Sequence, residues 1–113
     1  MRMDLDTLTA EAWRLSQLLD RGIMALREAG VEYANAEHRY REAKAMAYLE
    51  TESGTVAERE AQTYAIMGEH RHRRDLADAA RLATLEAVRS RRAQISALQT
   101  LIAAHRAEVE LAR

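Results

Sequence analysis

Between Leu8 and Ala47, apolar or small residues return at alternating steps of four and three: Leu8, Ala12, Leu15, Leu19, Gly22, Leu26, Ala29, Tyr33, Ala36, Tyr40, Ala43 and Ala47. A β-strand cannot use this spacing, because its side chains change face every second residue. A helix can: the rhythm draws one apolar seam along its length, as in a coiled coil. No proline occurs anywhere in the 113 residues to interrupt it. Asp4 or Asp6 is placed to cap the start. Leu5, Leu18 and Ile23 widen the stripe near that end and predict contact with more than one neighbouring helix. Gly22 and Gly30 each weaken a helix by about 1 kcal/mol relative to alanine, and Gly30 marks a candidate break.

The strongest punctuation is TESGTVAEREA, residues 51–61. Gly54 can adopt the left-handed conformation that ends a helix. Thr55 then opens a T-x-x-E capping box closed by Glu58, and Glu58 and Glu60 lie where the helix dipole favours carboxylates. The spacing predicts helix one over about 5–51, a tight turn over 52–55 and helix two over about 56–111. In helix two the apolar positions are Val56, Tyr64, Met67, Leu76, Ala80, Ala83, Val88, Ile95, Leu98, Ile102 and Val109. This rhythm is regular from Leu76 onward and lapses across GEHRHRRD, Gly68 to Asp75. A fold-back at Gly54 sets side by side residues whose numbers total roughly 107: Ile95 with Ala12, Leu98 with Leu8, Val88 with Leu19. The expected architecture is a single domain over 1–113, all-α, an elongated antiparallel helical hairpin or coiled coil that oligomerises through its long helices.

Composition narrows the chemistry. Alanine, leucine, glutamate and arginine dominate, 31% of residues are charged, and there is no cysteine or phenylalanine; that mix belongs to long helices rather than sheets. No disulfide or thiolate chemistry is available. The N-terminal MRMDLDTLTAEAW holds no apolar signal region, and no apolar run is long enough to cross a bilayer, so a soluble cytoplasmic protein without a membrane partner is expected. No glycine-rich phosphate loop, nucleophile elbow or H-E-x-x-H pair occurs, and carboxylates on a coiled coil are ordinarily solvated or paired one turn apart. The expectation is a protein that is not an enzyme and has no cofactor. Glu69 and His72 form one E-x-x-H, with His38 across the hairpin. A di-iron bundle needs two such motifs, and three arginines interleave these ligands, so no metal is expected.

The net charge of −1 conceals an asymmetry. Residues 1–68 carry eight basic and twelve acidic side chains. Residues 69–106 carry eight basic (Arg71, Arg73, Arg74, Arg81, Arg89, Arg91, Arg92, Arg106) and four acidic (Glu69, Asp75, Asp78, Glu86). A basic segment inside a near-neutral chain can serve as a partner surface. The fold-back brings Arg39, Arg41 and Lys44 level with Arg71, Arg73 and Arg74, with Tyr33 and Tyr40 among them. Arg89, Arg91 and Arg92 form a further group along helix two. Arginine grips phosphate through paired hydrogen bonds and tyrosine stacks on unpaired bases, which makes these residues candidates for binding single-stranded nucleic acid. The opposing reading is that the arginines pair with the many glutamates. A single hairpin neutralises few phosphates, so assembly would add avidity. Leu15, Leu19, Ile95, Leu98, Leu101, Ile102 and Val109 are the candidate oligomerisation residues.

Two segments resemble a known family. RYREAKAMAYLE, 39–50, is similar to the K-K-x-A-L-K-A-R segment of the UvsY-type recombination mediators of T-even phages. LEAVRSRRAQISALQTL, 85–101, is similar to their A-L-D-A-I-K-S-R-G stretch and the amphipathic run after it. Ser90 and Arg91 match the S-R, Arg89 replaces the lysine before it, and Lys44 falls on a basic position of the first motif. Met46 stands where that family has arginine, a departure within the basic segment. The resemblance covers about 70 residues loosely. It implies a homo-oligomeric, single-stranded-DNA-binding accessory protein that helps load a recombinase onto strands covered by single-strand-binding protein, in the cytoplasm of a phage host. The secreted WXG hairpins of actinobacteria are of similar length, but they carry W-x-G in the turn, whereas here the turn reads ESGT and Trp13 is distant from it. The alternative is a structural or adaptor coiled coil, serving virion assembly or host-protein binding, with no nucleic-acid role.

Overall fold

The computed structural model describes residues 4–113. All elements among them are helices: α1, Leu5–Glu50; α2, Val56–Ile66; and α3, Gly68–Leu111. The long helix α1 packs against α3 as an antiparallel helical hairpin. Two compact units can be distinguished. The terminal unit joins α1 up to Leu26 with Thr84–Arg113; the turn unit is Arg27–Ala83.

The seam of α1 follows its sequence. All twelve residues of the four-three rhythm are buried or half-buried, with Leu8, Leu15, Ala36 and Ala47 among the most enclosed. Asp4 begins the helix by accepting a hydrogen bond from the Thr7 backbone N–H at 2.7 Å. That bond is the largest of the influences holding the Asp4 carboxyl below its ordinary pKa. The candidate break at Gly30 does not occur: α1 is continuous over 46 residues, since one glycine costs about 1 kcal/mol against hydrogen bonds that continue on both sides.

The turn follows the capping signals closely. Gly54 has φ +111, which only glycine adopts without strain. Thr55 is the N-cap of α2, and its hydroxyl accepts from the Glu58 N–H at 3.2 Å. No basic residue lies in the last turn of α1; Arg59 of α2 supplies one from across the turn. Its Nη2 donates to the Tyr48 carbonyl at 3.0 Å, its Nε donates to the Thr51 hydroxyl at 3.1 Å, and its guanidinium lies 4.2 Å from the Tyr48 ring centre. A cation on this terminal carbonyl is favoured by the helix dipole.

Helix two differs from the expectation of one uninterrupted helix over 56–111. Met67 ends α2 and Gly68 opens α3. The Met67 N–H still donates to the Thr63 carbonyl and the Arg71 N–H to the Met67 carbonyl, so the interruption is a local distortion at the residue before glycine. Met67 itself is only 2% exposed.

The seam of α3 also departs from the sequence expectation. Leu76, Ala80 and Ala83 are exposed. The inward residues are Met67, His70, Arg74, Ala77, Arg81, Thr84, Val88, Arg91, Ile95, Leu98, Ile102 and His105, an unbroken three-four rhythm of buried and half-buried positions. The rhythm therefore does not lapse across Gly68–Asp75; His70 and Arg74 occupy it. Hydrophobicity alone misassigned the face, because arginine buries its methylene stem while its head remains polar.

One contact locates the register in the terminal unit. Val88 packs on Gly22, where an added Cβ would lie 3.3 Å from the Val88 Cγ2. That contact pairs residues whose numbers total 110, close to the expected 107. In the terminal unit this sets Leu15 level with Ile95 and Ala12 with Leu98. In the turn unit Arg74 reaches Tyr40 and Glu37, and Arg81 reaches Tyr33. At Gly22 the smallest residue of α1 meets Val88 of α3, a size match of the kind a close-packed seam requires.

Candidate nucleic-acid interface

The two seam arginines of the turn unit place their heads on rings of α1. The Arg74 guanidinium lies 4.3 Å from the Tyr40 ring centre, and Arg81 lies 5.1 Å from Tyr33. Arg71 lies 3.7 Å from Tyr64 and also donates from Nη1 to the Tyr64 carbonyl at 3.3 Å. With Arg59 over Tyr48, each of the four tyrosines of the sequence carries an arginine.

Three of those rings border one groove of about 610 Å³ in the turn unit. Tyr40 and Tyr48 enter from α1 and Tyr64 from α2. Thr63 and Met67, each 2% exposed, form the floor. Arg41, Lys44 and Glu60 stand at the rim. Arg41 donates from Nε to Glu37 at 3.0 Å. Lys44 and Glu60 are exposed and have neither an ion pair nor a hydrogen bond among the described residues. The groove thus joins aromatic faces, one unpaired ammonium and one unpaired carboxylate.

The candidate cations divide. Arg41 and Lys44 line the groove, and Arg71 and Arg74 stack on two of its rings. Arg74 is the most constrained, paired with Asp75 at 3.1 Å and Glu37 at 3.8 Å. Burial works against its charge, but the hydrogen bond and charge of Asp75, with Tyr40 and Glu37 adding, raise its pKa above the ordinary value. Arg39 and Arg73 do not line the groove; Arg73 pairs with Glu69 at 3.3 Å, and both side chains are well exposed. Arg89, Arg91 and Arg92 belong to the terminal unit. There Arg89 pairs with Glu86 at 3.0 Å. Arg91 is half-buried in the seam and borders a shallow groove with Arg14 and Gln94, and Arg92 is exposed.

The candidate oligomerisation residues divide likewise. Leu15 is 4% exposed, and Leu19, Ile95, Leu98 and Ile102 are half-buried in the seam within the chain. Leu101 and Val109 face outward, and Trp13 does so at 67% exposure.

Tyr48, Tyr64, Glu60 and Arg59 are the site residues the sequence reading missed. The sequence signalled only the Arg74–Tyr40 and Arg81–Tyr33 stacks: Tyr33 and Tyr40 are seven apart, as are Arg74 and Arg81, the repeat expected of partners across a seam. Among the described residues no group of three or more His, Cys, Asp or Glu side chains is placed to hold a metal ion, and no helix is long and apolar enough to cross a membrane. Comparison with known proteins finds no family model, no curated protein and no solved structure that matches the chain.

Proposed function

We propose that this is a non-enzymatic binding protein that takes single-stranded nucleic acid into the tyrosine-lined groove of the turn unit. The observation that carries the reading is the meeting of Tyr40, Tyr48 and Tyr64 with Arg41 and Lys44 around one groove. Aromatic faces stack on unpaired bases of any sequence, at about 1–3 kcal/mol per base, and cations beside them hold the backbone. A duplex hides its base faces and gains only the cations. The resemblance of 39–50 and 85–101 to recombination mediators supplies the setting: a homo-oligomer on single-stranded DNA that helps load a recombinase beside single-strand-binding protein. Outward-facing Leu101, Val109 and Trp13 support assembly, and assembly compensates for how few cations one groove offers.

A second reading has its own support. Arg41, Arg73, Arg74, Arg81 and Arg89 each lie within 4.0 Å of a carboxylate, so much of the basic segment is neutralised within the chain, as in an adaptor coiled coil. Fluorescence anisotropy of a labelled single strand against a duplex of equal length, at low and moderate salt, separates the two. The first reading expects salt-sensitive, single-strand-preferring binding that falls in Tyr64→Ala and Lys44→Gln but not in Arg73→Gln. Absence of binding by folded protein at low salt removes it in favour of the adaptor.

A further inference from the structure

Glu60 is the one carboxylate bordering the groove. It is solvent-exposed and has no ion pair or hydrogen bond among the described residues. An ionised carboxylate only accepts hydrogen bonds, through two oxygens side by side. Of the Watson–Crick edges of the four DNA bases, only guanine presents two adjacent donors, its N1–H and its exocyclic amino group. Adenine and cytosine set a ring-nitrogen acceptor beside their one amino group, and thymine sets its single N–H between two carbonyls. Those acceptors would face the carboxylate with like partial charge.

We infer that the groove prefers guanine: Glu60 accepts from the N1–H and the amino group of a guanine whose ring stacks against Tyr64, while Lys44 meets the neighbouring phosphate. This rests on the single-strand reading above and adds a base preference to it. The three residues come from different places, Lys44 from α1 and Glu60 and Tyr64 one turn apart on α2, so an edge reader and a stacking face rise from one helix face. Unpaired bases are ordinarily read in this way, by stacking together with hydrogen bonds to the exposed edge. Paired hydrogen bonds to a charged acceptor are the stronger kind.

The test is anisotropy with a labelled oligo-dT strand and the same strand carrying one central dG, dA or dC, measured on the wild type and on Glu60→Gln. The wild type should bind the dG strand about tenfold more tightly than the other three, the scale of one charged hydrogen-bonded pair. Glu60→Gln should abolish the preference, so that the variant binds the dG and dT strands within about twofold of each other, while loss of the carboxylate's repulsion of the backbone acts on all four strands alike. Its thermal melt should match that of the wild type, since the Glu60 side chain is exposed. Equal binding of all four strands by the wild type, or a guanine preference that survives in Glu60→Gln, overturns the inference and leaves the single-strand reading standing. No binding of any strand overturns both.

Discussion

The Arg74 guanidinium lies 4.3 Å from the centre of the Tyr40 ring, and seven residues further from the turn on each helix Arg81 repeats the arrangement over Tyr33 at 5.1 Å. Arg74 is the closer and also holds Asp75 and Glu37. A double-mutant cycle of Tyr40→Leu and Arg74→Met, read by chemical denaturation, should return a coupling of about 1 kcal/mol, and the Tyr33/Arg81 cycle less. Arg73→Met, one residue away on the exposed face, should change stability by less than about 0.5 kcal/mol. Equal couplings in the two cycles would show that packing, not the ring–cation distance, sets their size.

The two glycines of α1 should respond differently to alanine. Nothing lies within 4 Å of a Cβ added at Gly30, so Gly30→Ala should stabilise the chain by about 1 kcal/mol through helix propensity. At Gly22 the new methyl would meet Val88 at 3.3 Å, and Val88 is only 3% exposed and enclosed by its neighbours. Gly22→Ala should therefore gain clearly less than Gly30→Ala, or lose stability. Equal gains would mean that the seam relaxes at Val88.

Three changes at the turn act through different causes. Gly54→Ala forces an L side chain to φ +111 and should destabilise by more than about 1 kcal/mol. Thr55→Ala removes the cap on Glu58 and should cost about 1 kcal/mol. Arg59→Met takes one donor from the Tyr48 carbonyl, which keeps those of Thr51, takes the Arg59 donor from the Thr51 hydroxyl and removes the cation over the Tyr48 ring, and should cost about 1 kcal/mol. Thermal melts of the three variants give the ranking.

Asp4 gives the acid limb of the stability profile a specific contributor. Its carboxyl is held below the ordinary value, first by the Thr7 backbone N–H and then by the Thr7 side chain, with His105 adding a smaller attraction. A depressed folded-state pKa means stabilisation that is present above the ordinary carboxyl range and is lost as pH falls through it. Asp4→Asn retains a capping oxygen and should leave neutral-pH stability nearly unchanged, while the fall in stability toward acid becomes shallower. Identical slopes in the two proteins would remove Asp4 from that limb.

Much of this was legible in the amino acids. The four-three rhythm of α1 marks its seam at all twelve positions, and Gly54 with Thr55 marks the turn, because helical period, glycine conformation and capping are local properties. Tyr40, Arg41 and Lys44 were in view as one basic and aromatic group. The sequence alone could not determine which face of α3 turns inward or how far the helices slide. Leu76, Ala80 and Ala83 make as regular a stripe as Arg74, Ala77 and Arg81, and hydropathy favours the wrong one. Tertiary packing decided it. Gly22 admits Val88, and Tyr40 and Tyr33 receive the guanidinium groups of Arg74 and Arg81. That register depends on matching residues roughly 35 to 65 positions apart, so it exists only once the two helices meet.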